Sequence, residues 1–247
     1  MGDWGAAVFD ERYDVLLART PATEAAHHWV RYKVYCEERG FEPRDRFPDQ
    51  QERDGWDDDA VKFVVKHRGW EEYTAAVRLV QGGSAGFPAE HYCELDQDHL
   101  RCVEPGQVAE LSRLCVVNGT RQDFWPGPTV RRADSTANPA TVVGIFWGLM
   151  RAALRYSERH DIRHWYFVTT RGMAKILQRN LIESECIGAP CVLGGLRYPY
   201  LVDVHASRQR ILQSSSRLAG FYRADAPYHV GHHTPEEDRQ ASLSPLL

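Results

Sequence analysis

No run of the 247-residue chain reaches the roughly 20 apolar residues that a membrane-spanning helix needs. The first residues, Met-Gly-Asp-Trp-Gly-Ala-Ala, also lack the basic-then-apolar order of a secretory signal, so a cytoplasmic chain without a membrane span is expected. A surplus of basic residues is missing too. The formal net charge is −4, which gives no global field for nucleic acid, so any anionic partner must meet a local patch. Cysteines 36, 93, 102, 115, 186 and 191 form no C-x-x-C and no pair matched to histidines at zinc-ligand spacing, and reduced, packed thiols are expected. His27-His28 and His232-His233 lack an H-E-x-x-H context, so they are expected at the surface and no metal site is expected. Gly82-Gly-Ser-Ala-Gly86 contains neither G-x-G-x-x-G nor a lysine-terminated phosphate loop, and reads as a flexible lid.

What is present is an ordinary globular composition, 43% hydrophobic and 26% charged. It fits one domain over residues 1–223 followed by a flexible tail, 224–247, with clustered His, Pro and Glu. The chain centres on Val108–Val117, a β-rich run with Glu110 and Arg113 in its middle. A strand this apolar sits inside a sheet, where an ionised pair is costly unless each charge has a partner. Glu110 and Arg113 are an odd number of residues apart, so a regular strand sends them to opposite faces. One β-bulge between them brings both to the same side and frees a backbone N–H for a ligand. The competing reading is an ion pair that only ties layers together.

Along the chain, residues 11–18 read as a first strand. Thr20-Pro21 opens a helix to about Arg39, with Arg31, Tyr35 and Glu38 in one stripe and Gly40 as the stop. Residues 42–59 form an irregular Asp/Pro/Gly-rich loop closed by Asp54-Gly-Trp-Asp57. Strands follow at 60–67 and 73–80, and Arg78 in the second needs an acid, which Asp54 and Asp57 supply. Glu94 is a candidate base from the lid-like segment. Pro139 opens the longest helix, to about His160, with one broad apolar face. Its Arg151, Arg155 and Arg159 recur every four residues, either as a solvated face or, with Arg131, Arg132 and Arg163, as a dock for an acidic carrier protein. A strand at 163–170, a helix at 171–180, strands at 191–196 and 198–205 and a helix near 207–219 complete the order.

The pattern Glu110-Leu-Ser-Arg113-x-x-Val116 resembles the fourth-strand signature of acyl-homoserine-lactone (autoinducer) synthases, a branch of the GNAT acyltransferase superfamily. Arg31, Tyr35 and Phe41 match the arginine and two aromatics of that branch's first helix, and Asp54 and Asp57 its Asp-x-x-Asp element. Arg78 and the Val168-Thr-x-x-Gly-Met-x-x-Ile-Leu177 ending also match. The wording around Tyr35–Phe41 and Glu52–Asp57 looks closest to acyltransferases associated with exosortase (PEP-CTERM) systems, relatives of N-acyl amino acid synthases. The resemblance implies an α/β (α+β) GNAT fold, with a mixed, mostly antiparallel sheet flanked by helices and splayed between its fourth and fifth strands. It implies N-acyl transfer to an amine from an acyl-phosphopantetheine thioester, on acyl carrier protein or CoA, with no cofactor bound permanently. The Q/R-x-x-G-x-G/A turn that cradles the CoA pyrophosphate in most GNAT enzymes is missing, which favours the carrier protein.

Under this reading Glu110 takes the amine's proton, with Glu94 as second choice, and backbone N–H groups around Leu114, Cys115 and Val116 hold the oxyanion. Arg113, Arg78, Arg31, Asp54 and Asp57 orient the amine and brace Glu110. Phe146, Trp147, Trp165 and Phe167 either line an acyl tunnel or pack the core. A lactone synthase using S-adenosylmethionine and a non-catalytic carrier-binding module are the alternatives.

Overall fold

The structure is a computed structural model that describes residues 6–69, 72–101, 103–118, 139–223 and 229–230. Helix α1 (Ala6–Arg12) takes up the start of the expected first strand, so β1 covers only Tyr13–Leu17. Helix α2 (Pro21–Tyr32) begins as its sequence dictates: the Thr20 hydroxyl accepts from Thr23 N–H, the Thr20 N–H is met by Thr23 Oγ1, and Pro21 fills the first turn. It continues as a π-helical turn over Lys33–Glu38, which carries Tyr35, and Gly40 ends it at φ +61°.

Strands β2 (Ala60–His67), β3 (Tyr73–Val80) and β4 (Val108–Val116) form an antiparallel meander. Short helices α3 (Pro88–Tyr92) and α4 (Gln97–Leu100) lie between β3 and β4. Helix α5 (Pro139–Arg159) crosses over to β5 (His164–Thr169), parallel to β4. Then come α6 (Arg171–Arg179), β6 (Glu183–Cys186), β7 (Cys191–Val192), β8 (Leu196–Asp203), α7 (Val204–Gln213), α8 (Arg217–Arg223) and β9 (His229–Val230). The sheet order is β6-β8-β5-β4-β3-β2-β1-β9, with β7 paired to β8. It is antiparallel except at β4/β5 and β1/β9. This is the mixed, mostly antiparallel α/β architecture expected.

Several elements differ from expectation. The polar edge strand β6, Glu-Ser-Glu-Cys, has no apolar alternation to announce it. The expected strand at 191–196 is only β7 and a turn, with Gly194 and Gly195 both at positive φ. The expected last helix is two, α7 and α8, broken at Ser214–Ser216. Within the expected tail, the backbone of His229–Val230 pairs with Leu16 and Leu17; the rest of the tail lies outside the described residues. Cys93 and Cys191 are not packed thiols but a disulfide, brought together across 98 residues where Leu95 bridges to Gly188. Cys36 and Cys115 are buried outside the disulfide, and Cys186 is exposed.

The sheet has two unlike faces. On the α5 side lies the main apolar core, including Phe63, Val77, Leu79, Leu111, Leu149 and Trp165. On the α2 side, Thr23, His27, Val30, Arg31 and Val34 recur at helical spacing and are all buried, so α2 lays a partly charged face on β3. His27 and His28 therefore belong to the interior and not to the surface, and burial holds the imidazole of His27 well below its usual pKa, hence neutral.

Candidate active site

The site grows from one extra residue in β4. Ala76 opposes Cys115 and Arg78 opposes Ser112, so Val77 faces two residues, Arg113 and Leu114, where a regular ladder has one. Arg113 takes φ +52°, the left-handed region that non-glycine residues rarely enter. The bulge turns Arg113 onto the α2 face with Glu110 and Ser112, while Leu114 and Val116 pack on the α5 side. Below it, β4 and β5 pair only at Val108↔His164, Ala109↔Trp165 and Glu110↔Tyr166, although β4 runs on to Val116 and β5 to Thr169. The two strands part at Glu110.

Three guanidiniums meet three carboxylates on the α2 face. Arg31, fully buried, donates from Nε to Glu52 and from Nη1 to Asp57, each at 2.5 Å. Arg78, also fully buried, grips Asp54 through Nη1 at 2.6 Å and Nη2 at 2.9 Å, and reaches Asp57 at 2.9 Å and Ser112 Oγ at 3.0 Å. Arg113 donates to Asp54 at 3.0 Å and Glu52 at 3.2 Å, with its guanidinium 5.3 Å from the centre of the Tyr35 ring. Asp54 and Asp57 close their own turn, Asp54 N–H donating to the Asp57 carboxylate at 2.8 Å. Burial alone pushes these carboxyls up, but the arginines and their hydrogen bonds outweigh it, so Glu52, Asp54 and Asp57 all stay below the ordinary carboxylate range. The cluster is ionised, and Glu42 adds a fourth carboxylate at its rim, 3.9 Å from Arg113.

Glu110 stands apart. It makes no ion pair with Arg113 or Arg78; its Oε2 accepts from the N–H of Ala89 at 2.6 Å, and Ala89 packs in an apolar cluster with Tyr166, Val103, Val108 and Ile187. Burial pushes its carboxyl up to about 8, against the opposing pull of the Ala89 N–H, Arg78 and Arg113. The expected brace of Arg113 on Glu110 is thus replaced: the bulge aims the guanidinium at Glu52 and Asp54 instead. A carboxyl poised near neutral pH at the point where two strands part suits proton transfer.

Arg31, Tyr35, Asp54, Asp57, Arg78 and Arg113 come together, with Glu110 at the edge of the group. Phe41 sits at the rim, 44% exposed, its ring 6.3 Å from that of Tyr35. Glu94 is exposed and engaged through its carbonyl by Ala189 N–H; among the described residues its side chain touches none of the cluster. Phe146, Trp147, Trp165 and Phe167 are all buried in the core on the α5 side, and Trp165 is fixed by its Nε1–H donating to Ser157 Oγ at 2.9 Å.

The arginine ridge is not one surface. Arg151 is 3% exposed, paired with Asp10 and packed on Phe221, because α1 and α8 cover that side of α5. Arg155 and Arg159 lie near Ser157, at the end of α5 beside the paired part of β4 and β5, away from the opening. Arg131 and Arg132 lie outside the described residues. Glu52 and Ser112 are missing from the sequence expectations. Charge balance gave a signal for Glu52: three arginines against two aspartates leave one buried positive charge unmatched, and the same loop holds the acid.

Residues 30–128 match the family model of the acetyltransferase (GNAT) domain, and this stretch contains the end of α2, the meander, the bulge and every member of the ionic cluster. This stretch therefore resembles a GNAT acetyltransferase domain, and it sits in a GNAT-like fold. Solved structures share the fold at low identity. The CoA-dependent acyl-homoserine lactone synthase BjaI, with MTA, superposes with TM-score 0.57 at 16% identity, over 93% of this chain and 99% of that one. TofI, in a ternary complex with an inhibitor and MTA, gives 0.55 at 20%, over 84% and 96%. FeeM, an N-acyl amino acid synthase from uncultured soil microbes, gives 0.53 at 14%, over 80% and 94%. No curated protein matches the chain in sequence.

Proposed function

We propose that the chain is a cytoplasmic N-acyltransferase that moves a fatty acyl group from an acyl carrier protein or CoA thioester to the amine of an amino acid or a related small molecule. One observation carries this reading. Of the six charged groups in the cluster, Arg113 and Asp54 are the most exposed, at 24% and 12%, and the others are at most 6% exposed. They are one cation and one anion at the kink of β4, a pair matched to the carboxylate and ammonium of an amino acid.

In the reaction the thioester lies in the opening between β4 and β5, and backbone N–H groups of Leu114–Val116 stabilise the developing oxyanion. The neutral amine nitrogen bonds to the carbonyl carbon, its proton passes to the Glu110 carboxylate directly or through water, and the C–S bond breaks to release a thiolate, which takes up a proton from water. Arg31, Arg78, Asp57 and Glu52 hold the pair rigid. Because Arg151 is buried and Arg155 and Arg159 lie away from the opening, the carrier-docking role falls to Arg131 and Arg132, which precede α5 in sequence. The wording of Tyr35–Phe41 and Glu52–Asp57 aligns the proposal with acyltransferases of exosortase systems.

A second reading, a lactone synthase using S-adenosylmethionine, draws on BjaI with SAM and isopentyl-CoA and on TofI with MTA. Mass spectrometry of lipids and nucleosides from expressing cells separates the two. An acyl-amide without methylthioadenosine release supports the amino-acid reading, methylthioadenosine appearing with an acyl lactone supports the second, and neither product refutes both.

A further inference from the structure

The disulfide between Cys93 and Cys191 joins the segment that holds Glu110 to the segment that borders the ionic cluster. On one side Cys93 ends α3: its N–H donates to the Ala89 carbonyl at 3.0 Å, and the Ala89 N–H donates to Glu110 Oε2 at 2.6 Å. Two hydrogen bonds therefore lead from the disulfide to the carboxyl. On the other side Cys191 opens β7, and the turn from β7 to β8 lies against the rim of the site, where a Cβ on Gly194 would stand 3.0 Å from the Phe41 ring.

Backbone bonds already fasten the stretch between these two ends. Asp96 N–H donates to the Ile187 carbonyl at 2.8 Å, and Ala189 N–H donates to the Glu94 carbonyl at 3.2 Å. Opening the disulfide leaves this ladder in place and releases what lies beyond it, α3 and β7. Helix α3 has five residues, too few for its own hydrogen bonds to hold it, and its remaining anchors are Ala89 in its apolar cluster and the His91 and Tyr92 rings against Trp56. The disulfide lies at the surface: each cysteine is 9% exposed, beside Tyr92 at 46% and Val192 at 80%. In a reducing compartment a disulfide of this kind is transient or redox-sensing and not a permanent staple.

From these observations we infer that Cys93–Cys191 is a reversible modification site, at which a dithiol reductant opens the disulfide and loosens α3 from Glu110. A thiolate of the reductant attacks one sulfur of the pair, forms a mixed disulfide with it and frees the other cysteine. The reductant's second thiolate then closes its own disulfide and frees the attacked cysteine. Two electrons pass to the protein, the dithiol is oxidised, and each cysteine sulfur takes up a proton. With α3 loosened, water reaches the Glu110 carboxyl. Burial is the largest cause of its raised pKa, so hydration lowers it even though the Ala89 N–H is lost. This last step rests on the reading of Glu110 as the base; the loosening of α3 does not.

Hydrogen exchange of the full chain, read by mass spectrometry over residues 87–93 with and without dithiothreitol, tests the site, and iodoacetamide labelling reports the two thiols. The expected result is that Cys93 and Cys191 are labelled only after reduction, that amide exchange over 87–93 then runs at least about tenfold faster, and that glutathione disulfide restores both. Cys186→Ser should respond as the parent does, because Cys186 is exposed and outside the pair. Cys93→Ser combined with Cys191→Ser should exchange fast and ignore dithiothreitol. In acyl transfer, the rising limb of kcat/KM should move at least about one pH unit lower on reduction. Exchange over 87–93 that reduction leaves unchanged overturns the inference, as does a pair still labelled after glutathione disulfide. A limb that stays in place while exchange rises overturns the link to Glu110. Exchange that responds in a chain forming no acyl-amide supports the site and refutes the transfer reading.

Discussion

Glu110 and Arg31 illustrate two fates of a buried charge. Arg31 is surrounded by acids that hold it ionised, and its pKa rises. Removing its charge leaves Glu52 to Arg113 alone and Asp57 to Arg78 alone, three buried carboxylates against two guanidiniums, so Arg31→Met is expected to cost about 3–5 kcal/mol in denaturant unfolding. A loss under about 1 kcal/mol would show the cluster to be wet and weak. Glu110 has no cation of its own, so burial dominates and its carboxyl titrates near 8. As the proton acceptor it works only when ionised, so kcat/KM for acyl transfer should rise with pH through about 8. Glu110→Gln should abolish that limb and lower the rate by about 10²–10⁴-fold. A profile of the same shape in the variant assigns the base elsewhere.

At the scale of the strand, the bulge makes a prediction independent of catalysis. Arg113→Gly and Arg113→Ala both lose the guanidinium and differ only in what φ +52° costs them. The glycine variant should be the more stable of the two, by about 1 kcal/mol. If alanine is the more stable, the strand is not kinked at Arg113. This bulge was legible in the sequence because Glu110 and Arg113 have the wrong parity for one face of a regular strand. The ionic cluster was half legible: Arg78 in an apolar strand demanded an acid, whereas Glu52 hid in an irregular loop without periodicity. Where packing partners decide the outcome, sequence spacing fails. The Arg151–Arg155–Arg159 repeat looks like a surface ridge until α1 and α8 cover its first member. His27 looks polar and exposed until α2 is laid on β3.

For the whole molecule, stability against pH follows from three kinds of group. Glu52, Asp54 and Asp57 have lowered pKa values, so their contribution is complete above the ordinary carboxylate range and is lost as the pH falls through and below it. His27 and His28, held neutral, add stability that is complete above 6.5 and declines as the pH falls below it. Glu110 acts in the opposite sense. Between its ordinary value of 4.5 and about 8 the folded chain holds a proton that the unfolded chain has released, so stability falls as the pH rises through that window. The histidines offset this below 6.5, which leaves a maximum near 6.5 and a decline of up to about 1.4 kcal/mol per pH unit from there toward 8. Thermal melts of Glu110→Gln should lack the alkaline decline and keep the acid one; an unchanged alkaline slope in that variant refutes a buried, protonated Glu110.

The central claim is that a kinked β4 presents both its backbone and its side chains to a thioester and an amine. Its most direct measurement is the yield of acyl-amide, by mass spectrometry of lipids from cells expressing the parent, Glu110→Gln and Arg113→Ala at equal protein levels. The account predicts an acyl-amide from the parent and a loss of at least about 100-fold in each variant. The same amide at parental yield from both variants would contradict it.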